Sequence, residues 1–171
     1  MVYIDFDGVI LDTENALFKE WRKNPNRHLL SENEKIQYIK KANWDYILNN
    51  SNIINDSLYY LNNMDSNKSF ILTKVHSMEN EAYAKVLWLR KNNVKQGIIV
   101  VPYYFKKSDI VSAKDNVLID DSLKNLKEWE EENGYPIFFN KENNNIDRWN
   151  EENVYGYKRV LNLSIASKYN K

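Results

Sequence analysis

The length, composition and charge of the chain restrict what it can be. It has 171 residues, of which 43% are hydrophobic, and its 24 lysines and arginines balance 24 aspartates and glutamates. That length supplies one core with a small subdomain. The balanced charge argues against binding to a nucleic acid polymer or a membrane surface by bulk electrostatics. The absence of cysteine excludes disulfides and thiolate metal sites.

The N-terminal residues and the hydropathy pattern indicate in which compartment the protein is expected. Met1–Gly8 carry two aspartates and no basic cluster, so we expect no signal peptide here. No apolar run approaches the roughly 18 residues that a membrane helix requires. We therefore expect a cytoplasmic protein.

The first predicted element is a strand over Val2–Phe6, and a long segment without strand character follows it. Within that segment the pattern predicts four helices, at Glu14–Arg22, Ser31–Lys41, Trp44–Asn49 and Asp56–Asn63. Ser31 with Glu34 forms a capping-box pattern. Aromatic residues are dense here, which favours the core of a small helical bundle. The alternative is that one or two of them face a cleft and stack on a flat substrate group.

Short apolar runs then alternate with helical stretches. The predicted strands are Phe70–Thr73, Ile98–Val101, Val117–Ile119 and Pro136–Phe139, and the predicted helices are Glu79–Asn92 and Ser122–Asn133, with Gly134 expected to end the second helix. This order predicts an α/β protein with a doubly wound, Rossmann-like parallel sheet and a small helical cap inserted after the first strand. We expect a core domain of residues 1–12 and 67–171 and a cap subdomain of residues 13–66.

Two aspartates at the end of the first predicted strand suggest a metal site. Asp5 and Asp7 are two residues apart, so continued extended geometry directs both carboxylates to one side. Burying two like charges requires a cation to offset them. Oxygen ligands without cysteine or a histidine pair are typical of Mg²⁺. Gly8 permits the turn that must follow.

Further polar residues follow other predicted strands. Asp120-Asp121 comes after Val117–Ile119, and Thr73 ends the predicted strand Phe70–Thr73 of the same sheet. Ligands of doubly wound sheets bind beyond the carboxyl ends of the strands, so we expect these residues to converge with Asp5 and Asp7. A lysine is needed to offset the carboxylates and a phosphate, and Lys85 is the candidate. Asp12 and Thr13 are interpreted as caps of the first helix. His76 is interpreted as a surface or core-packing residue without metal-ligand spacing.

Together these motifs resemble those of the haloacid dehalogenase superfamily. The matching features are Asp5-x-Asp7-Gly8-Val9, the strand that ends at Thr73, the helix with Lys85, and Asp120-Asp121. Within the superfamily the chain is similar to the 5'-nucleotidase group, which includes the 5'(3')-deoxyribonucleotidases. The cues are the stretch from Val117 to Ser122, Trp88 three residues after Lys85, and the small cap. Other members place the lysine after the third strand, where Lys106 and Lys107 stand, so Lys106 is the alternative to Lys85.

The resemblance implies two-step phosphoryl transfer. Asp5 would attack phosphorus and form an aspartyl-phosphate. Asp7 would protonate the leaving alkoxide and then deprotonate the hydrolytic water. Mg²⁺ would be held by the Asp5 carboxylate, the Asp7 carbonyl and the Asp120 carboxylate, and Asp121 would orient this shell.

The remaining implied residues bind phosphate. Thr73 and Lys85 would contact the transferring oxygens. Lys74 either joins them or faces solvent. Closure of the cap would exclude water and select the substrate.

We thus expect a Mg²⁺-dependent phosphomonoesterase acting on a small-molecule phosphate ester, such as a (deoxy)nucleoside 5'-monophosphate. The alternatives are a phosphosugar phosphatase or mutase on the same scaffold, and a non-catalytic binding module. The last alternative would be marked by loss of Asp5 or Asp7, and both are present.

Overall fold

The computed structural model describes residues 1–140, 153–154 and 157–169. The expected core range, 67–171, therefore extends over some residues outside the described ones. Within the described part of the chain, no helix combines the length and the apolar character needed to cross a membrane.

Among the described residues, a seven-stranded sheet forms the centre of the molecule. Its strands are β1 (Val2–Ile4), β2 (Ser69–Val75), β3 (Gly97–Pro102), β4 (Val117–Asp120), β5 (Tyr135–Phe139), β6 (Asn153–Val154) and β7 (Tyr157–Val160). They lie in the order β3-β2-β1-β4-β5-β7-β6. All neighbouring pairs are parallel except β6 with β7. The expected parallel α/β sheet is confirmed, and β7 and β6 extend it where the sequence pattern predicts no strand.

The first six helices of the described residues agree closely with the predicted ones, and the seventh has no predicted counterpart. The helices are α1 (Thr13–Arg22), α2 (Glu32–Lys41), α3 (Trp44–Asn49), α4 (Ser57–Asn62), α5 (Tyr83–Lys91), α6 (Leu123–Glu131) and α7 (Ala166–Tyr169). The capping box of Ser31 and Glu34 is present at the start of α2. The helix predicted from Glu79 begins differently, because a π-helical turn, Met78–Ala82, precedes α5.

Alternate residues of the central strands face opposite sides of the sheet. Val2 and Ile4 of β1 belong to a large apolar cluster that also contains Trp88 of α5 and Trp44 of α3. Tyr3 lies in a second cluster with residues of α6. Because a parallel strand is covered on both faces, its apolar residues run without interruption. This double burial confirms the doubly wound arrangement.

The end of α6 differs from the prediction at one residue. Asn133, with φ of 60°, adopts the left-handed conformation there, and Gly134 does not. A Cβ on Gly134 would lie 2.3 Å from the Trp129 ring, so close packing is what requires this glycine.

The strand order reverses between β1 and β4. The chain places β2 and β3 on one side of β1 and then crosses to β4 on the other side. Such a reversal leaves a crevice at the carboxyl ends of the two adjoining strands. Asp5 directly follows β1 and Asp120 ends β4, so both stand at that crevice.

Candidate active site

Three carboxylates meet at the carboxyl ends of β1 and β4. Asp5, Asp120 and Asp121 each offer an oxygen, and these oxygens lie within 4.8 Å of one another. Asp5 and Asp120 are buried, and the Asp5 amide N–H donates to the carbonyl of Ile119 on β4 at 2.9 Å. The expected convergence of Asp5 with Asp120 is therefore observed. Asp121, expected to be an orienting residue, stands in the same carboxylate cluster.

The buried lysine Lys107 forms ion pairs with two carboxylates of this cluster. Its Nζ lies 2.7 Å from Asp5 Oδ1 and 2.6 Å from Asp120 Oδ2, and only 2% of the residue is exposed. Burial alone would lower the pKa of Lys107, but the charges of Asp120 and Asp5 outweigh it, so the pKa is raised. Lys107 therefore stays protonated and offsets one of the negative charges.

Further donors fix Asp120. The backbone N–H of Ser122 donates to Oδ1 at 2.8 Å, and the side-chain amide of Asn125 donates to Oδ2 at 3.0 Å. With Lys107, three groups therefore hold this carboxylate in one orientation. A carboxylate that is fixed in advance can bind a ligand without losing rotamer freedom.

The cluster carries more negative charge than Lys107 can offset. Burial, reinforced by Asp120, raises the pKa of Asp5 to about 7. Burial, reinforced by Asp5, raises the pKa of Asp121 to about 8. Crowded carboxylate oxygens without nitrogen or sulfur donors are the ligand set of hard divalent cations. The residues present therefore fit a hard divalent cation.

Gly8 permits the close approach of Asp121. Its φ of +71° lies in the left-handed region, and an added Cβ would stand 1.8 Å from Asp121 Oδ2. Any larger residue would therefore displace that carboxylate from the cluster. The turn after β1 thus needs glycine both for its backbone conformation and for space.

Asp7 lies in a different set of contacts from Asp5. The Thr13 hydroxyl donates to Asp7 Oδ1 at 2.6 Å, and Lys85 Nζ donates to Asp7 Oδ2 at 2.5 Å. Thr13 therefore begins α1 and also contacts the Asp7 carboxylate. Asp12, expected to cap α1, occupies the N-cap position, and its carboxylate accepts a hydrogen bond from the side-chain amide of Asn15 rather than from a backbone N–H of the first turn.

Lys85 itself is fully buried. Its second carboxylate partner is Glu81, whose Oε1 lies 2.7 Å from Nζ. Burial would lower the pKa of Lys85, but Asp7 and Glu81 outweigh it and raise that pKa. Burial would likewise raise the pKa of Glu81, but the charge of Lys85 and hydrogen bonds from His76 and Lys85 outweigh burial and lower that pKa. Both groups are therefore charged at neutral pH.

Of the two predicted phosphate-binding residues of β2, Thr73 contacts Asp7, whereas the Lys74 side chain contacts Glu128. The Thr73 hydroxyl is buried 3.5 Å from Asp7 Oδ2 and 3.3 Å from Lys85 Nζ. Lys74 Nζ lies 3.8 Å from Glu128 Oε2, and burial lowers the pKa of Lys74. His76, just after β2, stacks on Tyr103 with a ring separation of 4.3 Å.

A cavity of about 340 Å³ joins these residues to the inserted helices. Its wall includes Asp7, Lys74 and His76 from the core, and Leu17 of α1 with Ile39 of α2. Residues from both parts of the chain therefore enclose the space in front of Asp7.

A second cavity, of about 210 Å³, lies between α1 and α2. We call it the aromatic groove. Its lining residues are Glu14, Leu17, Phe18, Trp21, Lys35, Tyr38 and Ile39. Glu14, Leu17 and Ile39 also line the larger cavity, so the two spaces adjoin. Trp21 and Tyr38 pack edge to face at 4.9 Å.

Sequence reasoning missed the position of Lys107 and the contribution of Glu81. The position of Lys107 after the third strand was a usable signal, but Lys106 beside it carries the same signal. Lys106 is only partly buried, and its backbone N–H donates to Asp109 at 2.8 Å. Glu81 stands four residues before Lys85, which is the spacing of a helical ion pair.

Neither a protein-family model nor a curated protein sequence matches the chain. Solved structures do resemble it. A D,D-heptose 1,7-bisphosphate phosphatase from Burkholderia thailandensis is 14% identical with a TM-score of 0.57, and the match covers 98% of this chain and 96% of that one. A HAD phosphatase from Thermococcus onnurineus is 16% identical with a TM-score of 0.53 over the same shares of the two chains.

A HAD hydrolase of family IA, variant 3, from Entamoeba histolytica is 13% identical with a TM-score of 0.59, and the match covers 93% of this chain and 91% of that one. The similarity to each structure extends over almost the whole length of both chains. At identities this low it concerns the fold. The chain therefore shares the α/β fold of HAD-superfamily hydrolases and phosphatases.

Proposed function

We propose that this protein is a Mg²⁺-dependent phosphomonoesterase that works through an aspartyl-phosphate on Asp5. One observation carries the proposal: Asp5, Asp120 and Asp121 meet beside Lys107 at the strand-order reversal. This arrangement combines a carboxylate nucleophile, a site for a divalent cation and a fixed positive charge. The phosphatases of the same fold support it.

In the proposed first step, a carboxylate oxygen of Asp5 forms a bond to phosphorus and the bond from phosphorus to the ester oxygen breaks. The ammonium group of Lys107 stabilises the negative charge of the Asp5 carboxylate and of the phosphoryl group that it attacks. Thr73 and Lys74 donate hydrogen bonds to the phosphoryl oxygens. Asp7 gives a proton to the departing oxygen and later takes one from the water that attacks the aspartyl-phosphate.

The carboxylates of Asp5 and Asp120 and the carbonyl of Asp7 would hold Mg²⁺, with Asp121 beside them. When bound, the ion supplies Lewis-acid stabilisation of the phosphoryl oxygens. Lys107 is assigned the charge-offsetting role for which Lys85 and Lys106 were the sequence candidates. This assignment rests on its two contacts, one to Asp5 and one to Asp120.

For the substrate we propose a (deoxy)nucleoside 5'-monophosphate, as the 5'-nucleotidase resemblance implies. The aromatic groove supports this choice because it adjoins the cavity at Asp7 and offers Trp21 and Tyr38 to a planar base. Residues 13–66 would act as the cap, since α1 and α2 supply the walls of both cavities. A phosphosugar phosphatase is the second candidate, which the heptose bisphosphate phosphatase of the same fold supports.

The test is phosphate release with MgCl₂ from nucleoside monophosphates, their deoxy forms and phosphosugars. We expect Asp5→Asn to lower turnover at least about 1,000-fold, because the amide keeps the shape and loses the nucleophile. Asp45→Asn, at an exposed aspartate of α3, is the matched control and should retain turnover. Turnover by Asp5→Asn equal to that of the wild type would exclude the mechanism, and selective turnover of phosphosugars would favour the second candidate.

A further inference from the structure

Lys85 is a second buried lysine with contacts separate from those of Lys107. None of its surface is exposed, and its Nζ lies 2.5 Å from Asp7 Oδ2 and 2.7 Å from Glu81 Oε1. The Lys74 carbonyl at 3.1 Å and the Thr73 hydroxyl at 3.3 Å complete its surroundings. An ammonium group has three protons to donate. Four protein oxygens already surround it, so these contacts use its donors without a phosphate.

Glu81 fixes the position of Lys85 from the other side. It is 2% exposed and lies on the π-helical turn Met78–Ala82. Its Oε1 binds Lys85, while its Oε2 accepts the backbone N–H of His76 at 2.7 Å. His76 directly follows β2, so the glutamate is tied to the central sheet. The chain of contacts runs from β2 through Glu81 and Lys85 to Asp7.

Lys85 and Lys107 therefore form ion pairs with different carboxylates. Lys107 contacts Asp5 and Asp120, whereas Lys85 contacts Asp7 and Glu81. A catalytic carboxylate needs its position fixed to within about 0.5 Å by surrounding packing and hydrogen bonds. Lys85 and the Thr13 hydroxyl supply such contacts to opposite oxygens of Asp7.

We propose that Lys85 and Glu81 are positioning residues for Asp7, so that protonation of the leaving group depends on them while attack by Asp5 does not. This inference rests on the proposed function. It separates the site into a nucleophile half that contains Lys107 and a proton-transfer half that contains Lys85. The two halves can be tested apart, because an ester with a weakly basic leaving group needs little proton transfer.

The experiment compares phenyl phosphate with p-nitrophenyl phosphate, which have similar shapes and differ in the basicity of the leaving oxygen. The measured quantity is kcat/KM, which covers the steps up to departure of the leaving group. The variants are Glu81→Gln and the double variant Lys85→Met/Glu81→Gln. The double variant removes both charges of the Lys85–Glu81 ion pair, so that neither is left buried without the other. Glu79→Gln, on the exposed side of the same turn, is the matched control.

We expect the double variant to lose at least about tenfold more kcat/KM on phenyl phosphate than on p-nitrophenyl phosphate, since general acid catalysis contributes about 100-fold or more to poor leaving groups. Glu81→Gln should show the same preference to a smaller degree, and Glu79→Gln should show none. Equal losses on the two esters, or no loss on either, would overturn the inference. If the double variant does not fold, Glu81→Gln decides the result by the same criterion.

A measurement without substrate separates this inference from the proposed function. The urea midpoints of Asp7→Asn, Lys85→Met and their combination form a double-mutant cycle. We expect strongly non-additive shifts, because each single variant removes one partner of a buried contact. Additive shifts would overturn the positioning role whatever the activity. Non-additive shifts with no phosphate release from any ester by the wild type would instead count against the proposed function.

Discussion

Two buried lysines, each with two carboxylate partners, divide the charge of the site. Asp5 shares Lys107 with Asp120, and Asp7 shares Lys85 with Glu81. A buried carboxylate is costly unless a positive charge stands beside it. A third carboxylate, Asp121, lies beside the two that contact Lys107. The excess negative charge is therefore concentrated where the divalent ion is proposed to bind.

This excess makes the stability of the metal-free protein depend on pH. The pKa of Asp5 is raised to about 7 and that of Asp121 to about 8, both from an ordinary value of 3.8. Groups that bind protons more tightly in the folded state stabilise it at low pH, and this contribution is lost as pH rises through the raised values. Glu81, whose pKa is lowered, loses its contribution only when the pH falls below its ordinary range.

We therefore expect MgCl₂ to raise the unfolding temperature more at about pH 8.5 than at about pH 5.5, because the ion replaces protons that are absent at high pH. The difference should be at least roughly 3 °C, which corresponds to about 1 kcal/mol in a chain of this size. The measurement is thermal unfolding with MgCl₂ or with EDTA at both pH values. Asp121→Asn should reduce the effect. A Mg²⁺ effect that is constant or smaller at high pH would contradict the metal site.

At the scale of elements, a short 3₁₀ turn decides which of two adjacent lysines enters the site. The turn Lys107–Asp109 follows β3, and Asp109 accepts the backbone N–H of Lys106. This geometry directs Lys107 to Asp5 and Asp120. Lys106 remains partly exposed at the start of the turn.

Replacing each lysine by methionine tests that orientation. We expect Lys107→Met to lower the free energy of unfolding by about 3 kcal/mol or more, because it leaves the buried carboxylates of Asp5 and Asp120 without their positively charged partner. Lys106→Met should change it by less than about 0.5 kcal/mol. Urea denaturation in EDTA measures both. Equal effects, or a larger effect of Lys106→Met, would show that the turn presents the other lysine.

On the scale of the whole molecule, the inserted segment is joined to the core by packing. Trp44, Ile47 and Leu48 of α3 are buried in the same apolar cluster as Ile4 of β1 and Trp88 of α5. The cap proposed for residues 13–66 therefore has a base that is continuous with the sheet. Its outer helices, α1 and α2, line the cavities.

That continuity predicts a single cooperative unfolding transition. We expect Leu48→Ala to lower the free energy of unfolding by about 2–5 kcal/mol without separating the transition into two, since the residue is 1% exposed in the shared core. Leu29→Ala, at a residue of the same segment that is 72% exposed, is the control and should cost little. Circular dichroism and tryptophan fluorescence should give coincident urea curves. Separate curves would show that the segment folds as an independent unit.

The site could be predicted only in part, and the reason differs between residues. Asp5 and Asp120 follow apolar strand runs, and parallel strands bring their carboxyl ends to one edge, so their convergence is predictable. Lys107 and Lys106 are adjacent, and nothing local distinguishes the buried one from the exposed one. The contact between Lys85 and Asp7 joins residues 78 positions apart. Such a contact is fixed by how α5 packs on the sheet.

By itself the sequence determined the order and type of nearly all elements, because hydrophobic periodicity and capping act over a few residues. It also determined which edge of the sheet carries the acidic residues. Only the tertiary structure decided the pairings: Lys107 with Asp5, Lys85 with Asp7, and Asp121 inside the carboxylate cluster through the space left by Gly8. Side-chain pairings depend on distances between elements that are remote in sequence, and packing of the complete core sets those distances.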